Sequence, residues 1–132
     1  MATITAATLA ISSNATTKTS RCVVTCKVLF TAFEMNQIKD GLKFSLSCAL
    51  WGEDLGINNW LNADDFIFSY ASKIFPDATP AASELATFDV TLGTNLLDED
   101  WGTDEVYGLL TLKNLYTNVA VKKKTNVVTR SF

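Results

Sequence analysis

A strict alternation of apolar residues with small or polar ones most constrains how this chain can fold. The segment 42–51 reads LKFSLSCALW, in which every second residue from Leu42 to Leu50 is apolar. Successive side chains of a β-strand point to opposite faces, whereas a helix needs a period near 3.6 residues. The segment is therefore predicted to be a strand with one face in a hydrophobic core.

Similar short runs of apolar, aromatic and β-branched residues recur between turn-forming residues. Such spacing is typical of an antiparallel sandwich or barrel. We predict a mainly β fold: a single antiparallel β-sandwich of seven or eight strands with at most one short helix, for which a jelly roll is one suitable topology. The strands are predicted at 3–11, 21–33, 42–51, 85–92, 105–112, 116–122 and 125–132. The last two are predicted to form a basic hairpin around Lys123 and Lys124.

Three segments leave alternatives open. Residues 62–75 (NADDFIFSYASKIF) combine helix-end signals, Asn62 as N-cap and Pro76 as stop, with the aromatic and β-branched residues of a strand. Residues 34–41 (EMNQIKDG) predict a turn or short helical connection. Residues 1–20 are rich in Ala, Thr and Ser, and a first strand is favoured over a flexible or plastid-type transit segment.

The length of 132 residues fits one domain, spanning 1–132. No secretory signal is seen, so the cytoplasm is favoured, with a plastid as the alternative if residues 1–20 are a transit peptide. The predicted core takes alternating apolar residues from the strands: Val24, Val28, Phe30, Phe44, Leu46, Leu50, Phe88, Val90, Leu110 and Leu112.

The sequence contains no histidine, which excludes histidine-dependent catalysis and zinc sites that use histidine. Its three cysteines, Cys22, Cys26 and Cys48, match no metal-binding spacing. Cys22 and Cys26 would lie roughly 13 Å apart on one strand face, too far for a disulfide. We expect three buried, reduced thiols, although Cys48 could meet one of the others across strands.

Five carboxylates occupy eight positions in the segment 98–105, which reads DEDWGTDE. Carboxylates crowded in this way repel one another unless a cation, basic side chains or water separate them. Calcium takes six to eight oxygen ligands, which closely spaced carboxylates can supply. Asp98, Asp100, Asp104 and Glu105 are therefore candidate Ca²⁺ ligands, and a solvated acidic turn is the plain alternative.

The segment 96–112 (LLDEDWGTDEVYGLLTL) resembles the last calcium-loop region of C2 domains. In that family an Asp-x-Asp pair is followed by a further Asp, a Gly and an apolar strand. The resemblance implies that Asp98, Asp100 and Asp104 ligate calcium on a β-sandwich. It covers 17 residues, and the family's Asp-Pro-Tyr signature is not found earlier in the chain. Membrane binding is therefore not expected.

The sequence W-G-x-D occurs twice, at 51–54 and 101–104. If both loops lie at one end of a sandwich, Asp54 and Asp64 become additional, weaker candidate ligands. Exposed tryptophans beside carboxylates also suit sugar binding, for which Trp51, Trp60 and Trp101 are the candidates. Tryptophans that close the end of a core are the plain alternative.

All fourteen acidic residues lie between Glu34 and Glu105, and both ends of the chain are basic. This pattern favours neutralisation within the fold, or association of copies through charge complementarity. The leading hypothesis is a non-catalytic binding or assembly module whose acidic loops bind Ca²⁺ or a basic protein partner. A carbohydrate-binding module is the alternative, and a small hydrolase using paired carboxylates is third. The lysine run 122–124 is too short to predict nucleic-acid binding.

Overall fold

Two antiparallel sheets form a β-sandwich, which confirms the predicted fold class. The structure is a computed structural model, and it describes residues 1–53, 64–98 and 103–132. Within these residues there are nine strands, one more than the upper prediction, and one α-helix. In chain order they are β1 (Thr3–Asn14), β2 (Thr19–Leu29), α1 (Ala32–Lys39), β3 (Phe44–Gly52), β4 (Asp65–Ser69), β5 (Lys73–Phe75), β6 (Ser83–Gly93), β7 (Asp104–Asn114), β8 (Ala120–Lys124) and β9 (Val128–Arg130).

Three long strands in the order β1-β2-β6 form sheet A. The β2–β6 ladder is continuous from Thr19 opposite Gly93 to Leu29 opposite Ser83. The β1–β2 ladder shifts register between Thr5 and Thr8. The favoured prediction of a first strand at the start of the chain is confirmed by β1.

Sheet B is built around two long strands, β3 and β7, in which all of β3 pairs with residues 106–114 of β7. Short strands complete it: β4 and β5 pair with β3, while β8 and β9 pair with β7. The predicted basic hairpin of the last two strands is therefore wrong. Both strands run antiparallel to β7 and pair with successive stretches of the same edge, β8 with 109–113 and β9 with 104–106, so the chain continues in one direction.

One hydrophobic core lies between the sheets. Nine of the ten predicted core residues are buried, and Val90 is partly buried against them. Phe30 and Phe44 join the two sheets with ring centroids 4.9 Å apart. Tyr70 also reaches the core, where its hydroxyl donates a 2.8 Å hydrogen bond to the carbonyl of Cys22.

The three cysteines are buried and free, as predicted. Cys22 and Cys26 lie on β2 in sheet A, whereas Cys48 lies on β3 in sheet B. Burial raises the pKa of the Cys22 and Cys26 thiols to about 11, and burial with the nearby Cys26 raises that of Cys48 to about 12. The thiols therefore stay protonated and unreactive in the folded protein.

The strand interpretation of the ambiguous segment is confirmed in its described part, where β4 and β5 form instead of a helix. Phe66 and Phe68 pair with β3, so sheet formation overrides the helix-end signals.

The connection after β2 is the predicted short helix, α1. Its N-cap is Thr31, whose hydroxyl accepts from the Glu34 N–H at 3.1 Å, while the Glu34 carboxylate accepts from the Thr31 N–H at 2.9 Å. The same carboxylate accepts from the Ala2 N–H at 2.8 Å, and so ties the start of β1 to α1. Within the described residues, no helix has the length and apolar character needed to span a membrane.

Candidate functional site at the acidic end of sheet B

Sheet B gathers carboxylates at the end where β3 stops and β7 starts. Gly52 lies opposite Val106 on one side and opposite Asp65 on the other. The Glu53 N–H donates a 2.7 Å hydrogen bond to the carbonyl of Glu105, which fixes this end of the β3–β7 pair. We call this region the acidic end, and its described carboxylates are Glu53, Asp64, Asp65, Asp104 and Glu105.

A lysine of β8 contacts the acidic end. The Lys124 ammonium lies 2.9 Å from the Glu53 carboxylate and 4.1 Å from the centroid of the Tyr107 ring. The Tyr107 hydroxyl donates a 2.5 Å hydrogen bond to Asp64. A carboxylate and the face of an aromatic ring both attract a cation, so these groups form a seat for an ammonium group.

Tyr107 lies on the outer face of sheet B, yet only 7% of it is exposed. Burial, followed by the hydrogen bond to Asp64 and the charges of Asp64 and Glu53, raises the pKa of Tyr107. The phenol therefore stays protonated and keeps donating to Asp64 at every physiological pH. This bond orients the ring beneath Lys124.

An aromatic pair borders the seat on the outer face of sheet B. Trp51 lies opposite both Tyr107 and Phe66 in the strand register. The Trp51 and Phe66 rings pack edge to face with centroids 5.5 Å apart, and Phe66 is 56% exposed. Apolar ring surface thus lies next to carboxylates and an ammonium group.

A second basic residue enters the acidic end from β9. Arg130 lies opposite Asp104 in the β7–β9 ladder, and Asp104 is buried. The described part of the acidic end thus holds five carboxylates and two basic residues, Lys124 and Arg130, a formal excess of three negative charges. The expected neutralisation by the basic end of the chain is thus only partial in the described residues.

The structure separates some predicted ligands and brings others together. Asp64, Asp104, Glu105 and Trp51 all belong to the acidic end. Asp98 is exposed and lines a cavity of about 530 Å³ with Asn14, Lys18 and Arg130, the residue opposite Asp104, so this cavity borders the acidic end. Asp54, Trp60, Asp100 and Trp101 lie outside the described residues.

Within residues 1–53, 64–98 and 103–132, no group of three acidic or cysteine side chains is arranged to hold a metal ion. The calcium site expected from the C2 resemblance involves Asp100, which falls outside those ranges. The prediction of calcium binding therefore stays a prediction.

Sequence reasoning missed Tyr107, Lys124 and Phe66 as members of the site. No local signal distinguishes them, because each depends on which strand pairs with which. Alternation places Tyr107 on the outer face of its strand, where exposure is expected. Only the pairing of β8 with β7 brings Lys124 over its ring.

Comparisons with protein-family models, with curated proteins and with solved structures found no match for this chain.

Proposed function

We propose that this chain is a non-catalytic binding module that recognises a positively charged partner, foremost a basic protein segment, at the acidic end. The observation that carries the proposal is the cation seat of Glu53 and Tyr107, set among carboxylates that outnumber their own cations. Lys124 already occupies the seat within the chain. It illustrates how a lysine from a partner would bind to the remaining carboxylates nearby.

The accessible part of this surface is provided by Asp65 and Glu105. Asp65 is exposed at the start of β4, and Glu105 is partly exposed on β7. Neither carboxylate takes part in the Glu53–Lys124 pair. A basic segment would gain charge-assisted contacts with both, and such contacts weaken as salt screens them.

Binding of a fluorescent lysine-rich peptide, followed by anisotropy at low and at physiological salt, tests the proposal. Asp65→Asn combined with Glu105→Gln should weaken binding several-fold. Asp40→Asn is the matched control, because it changes the same kind of charge at the opposite end of β3, just after α1. Equal affinity of the double variant and the wild type, or no binding at low salt, would refute a basic partner.

Calcium is the alternative cation, motivated by the carboxylates of the segment 98–105. Thermal unfolding with and without millimolar calcium separates the two ideas. A rise in melting temperature that magnesium does not reproduce supports a calcium site. An unchanged melting temperature, together with peptide binding, leaves the basic segment as the partner.

A carbohydrate is the second candidate ligand, favoured by the aromatic pair of Trp51 and Phe66 beside polar groups. Sugars bind by stacking on aromatic faces and by hydrogen bonds to carboxylates. Phe66→Ala should abolish binding to any glycan that an array identifies, while Asp40→Asn should not. Absence of binding by the wild type to any glycan on a broad array would refute carbohydrate binding.

A further inference from the structure

The edge of sheet A formed by β6 differs from every other sheet edge in the described part of the chain. An open edge exposes unpaired backbone groups that can pair with another strand, and proteins usually protect it with short strands, lysines, bulges or covering groups. β4 and β9 are short, and β8 is short and carries three lysines. β6 spans eleven residues with no lysine, no proline and no register shift.

The opposite edge of sheet A is covered. β1 carries the register shift between Thr5 and Thr8. The Asn126 side chain binds the backbone of Leu9 in both directions: its Oδ1 accepts from the Leu9 N–H at 2.8 Å, and its Nδ2 donates to the Leu9 carbonyl at 3.1 Å. In this way Asn126 completes part of the hydrogen bonding that a neighbouring strand would provide.

The register shows which backbone groups of β6 point outward. The Phe30 N–H donates to the Ala82 carbonyl, and the Thr94 N–H donates to the Lys18 carbonyl. Hydrogen-bonded pairs alternate with non-bonded pairs in an antiparallel ladder, so the even-numbered residues of β6 bond to β2. The odd-numbered residues Leu85, Thr87, Asp89 and Thr91 direct their N–H and C=O groups away from β2, where the described part of the chain supplies no strand.

We propose that β6 pairs antiparallel with β6 of a second copy of this chain, so that two copies of sheet A become one six-stranded sheet. A two-fold axis at Thr87 places this residue opposite itself, in a hydrogen-bonded pair. Leu85 of each copy then lies opposite Asp89 of the other. The 74% exposed Leu85 becomes covered by the second copy.

Two features of sheet A favour the pairing of β6 with β6 of a second copy. The Asp89 carboxylate is bound by the Arg21 guanidinium on the same outer face, so two β6 strands approach without unbalanced charge. Threonines already pair across this sheet: Thr8 and Thr25 share a hydrogen bond of 2.6 Å, and Thr25 lies opposite Thr87. Pairing through Thr87 continues this row, and threonine pairs stabilise antiparallel strands.

Cross-linking of Thr87→Cys under mild oxidation tests the geometry directly. Hydrogen-bonded antiparallel pairs have Cα atoms about 5.5 Å apart, within disulfide range. We expect rapid formation of a covalent dimer. Ala10→Cys is the matched control, since Ala10 is also exposed on the outer face of sheet A but lies on β1. Equal cross-linking of the two variants, or none by Thr87→Cys, would overturn the proposal.

Sedimentation equilibrium of the unmodified chain provides the second test. The wild type should dimerise as concentration rises, and Thr87→Pro should stay monomeric, because proline removes an outward N–H without breaking a bond to β2. If the proline variant does not fold, amide exchange of Thr87 and Thr91 in the wild type provides the test. Their protection should rise with concentration, and a wild type that is monomeric throughout would overturn the proposal.

Discussion

The two sheets contribute to the same core but are built differently. Sheet A consists of three long strands with one regular, open edge. Sheet B consists of two long strands flanked by four short ones, and it collects charge at one end. The difference shows that alternating apolar residues determine which face is buried, whereas turns, charges and short strands determine what the rest of each sheet offers to a partner.

The largest expected effect tests whether both sheets share one core. Leu9→Ala in sheet A and Leu110→Ala in sheet B should each lower the free energy of unfolding by about 2–5 kcal/mol, because both side chains are buried. Leu96→Ala is the control, with a change within about 0.5 kcal/mol expected for this exposed residue outside β6. Denaturant titration measures the free energy of unfolding of all three variants. A cost for Leu9→Ala no greater than that for Leu96→Ala would show that sheet A does not share the core.

Gly108 tests how closely the sheets approach. A Cβ at this position would lie 3.1 Å from Val24 Cγ2 and 3.1 Å from Thr125 Cγ2. Gly108→Ala should therefore destabilise the fold by about 1–3 kcal/mol through overpacking. In a double-mutant cycle, Val24→Ala should cost less in the Gly108→Ala background than in the wild type. Simple additivity would contradict the close contact.

Removal of the Asn126 amide tests the link between β1 and the C-terminal segment. Asn126→Ala leaves the Leu9 N–H and C=O without this partner and should lower the free energy of unfolding by about 1 kcal/mol. The effect is small for a lost hydrogen-bond partner because Asn126 is exposed. Lys122→Ala, an exposed change on β8, serves as the control. Amide exchange should speed up at Leu9. An unchanged exchange rate there would show that the side chain does not protect the edge.

The smallest effect concerns acid stability at α1. Burial opposes ionisation of Glu34, but hydrogen bonds from Thr31 and Ala2 and the nearby terminal ammonium outweigh it and lower the pKa of Glu34. Because the pKa is lower in the folded state, ionised Glu34 stabilises the fold at pH values above the ordinary glutamate pKa of about 4.3. This stability is lost as the pH falls through the pKa of Glu34 in the folded protein. Glu34→Gln should therefore be less stable than the wild type at pH 7, and the difference in their free energies of unfolding should decrease in acid. A difference that does not change with pH would show that ionisation of Glu34 does not stabilise the fold.

The sequence alone predicts the long strands and the core because their signal is local. From Leu42 to Leu50 every second residue is apolar, and burial follows that period. Pairing is not local. Nothing near Lys124 indicates that β8 and β9 both pair with β7, and Phe66 belongs to a segment whose cap signals predict a helix equally well.

The candidate site was predicted in part for the same reason. Carboxylate density predicted Asp104 and Glu105, and the repeated W-G-x-D predicted Asp64. Lys124 pairs with Glu53, which was not among the candidate ligands, so the neutralisation of the predicted carboxylates stays a prediction. Asp98 follows the 3₁₀ turn at Thr94–Leu96 and lines a cavity with Lys18 and Arg130 at the border of the acidic end. Sequence proximity alone does not determine which carboxylates share a site.

The most direct test of the central claim is an NMR titration of the wild type with a lysine-rich peptide. We expect the amide shifts of Glu53, Asp65 and Glu105 to change together and saturably, while that of Asp40 stays constant. Changes confined to β6, or spread evenly over all acidic residues, would contradict a specific site at the acidic end.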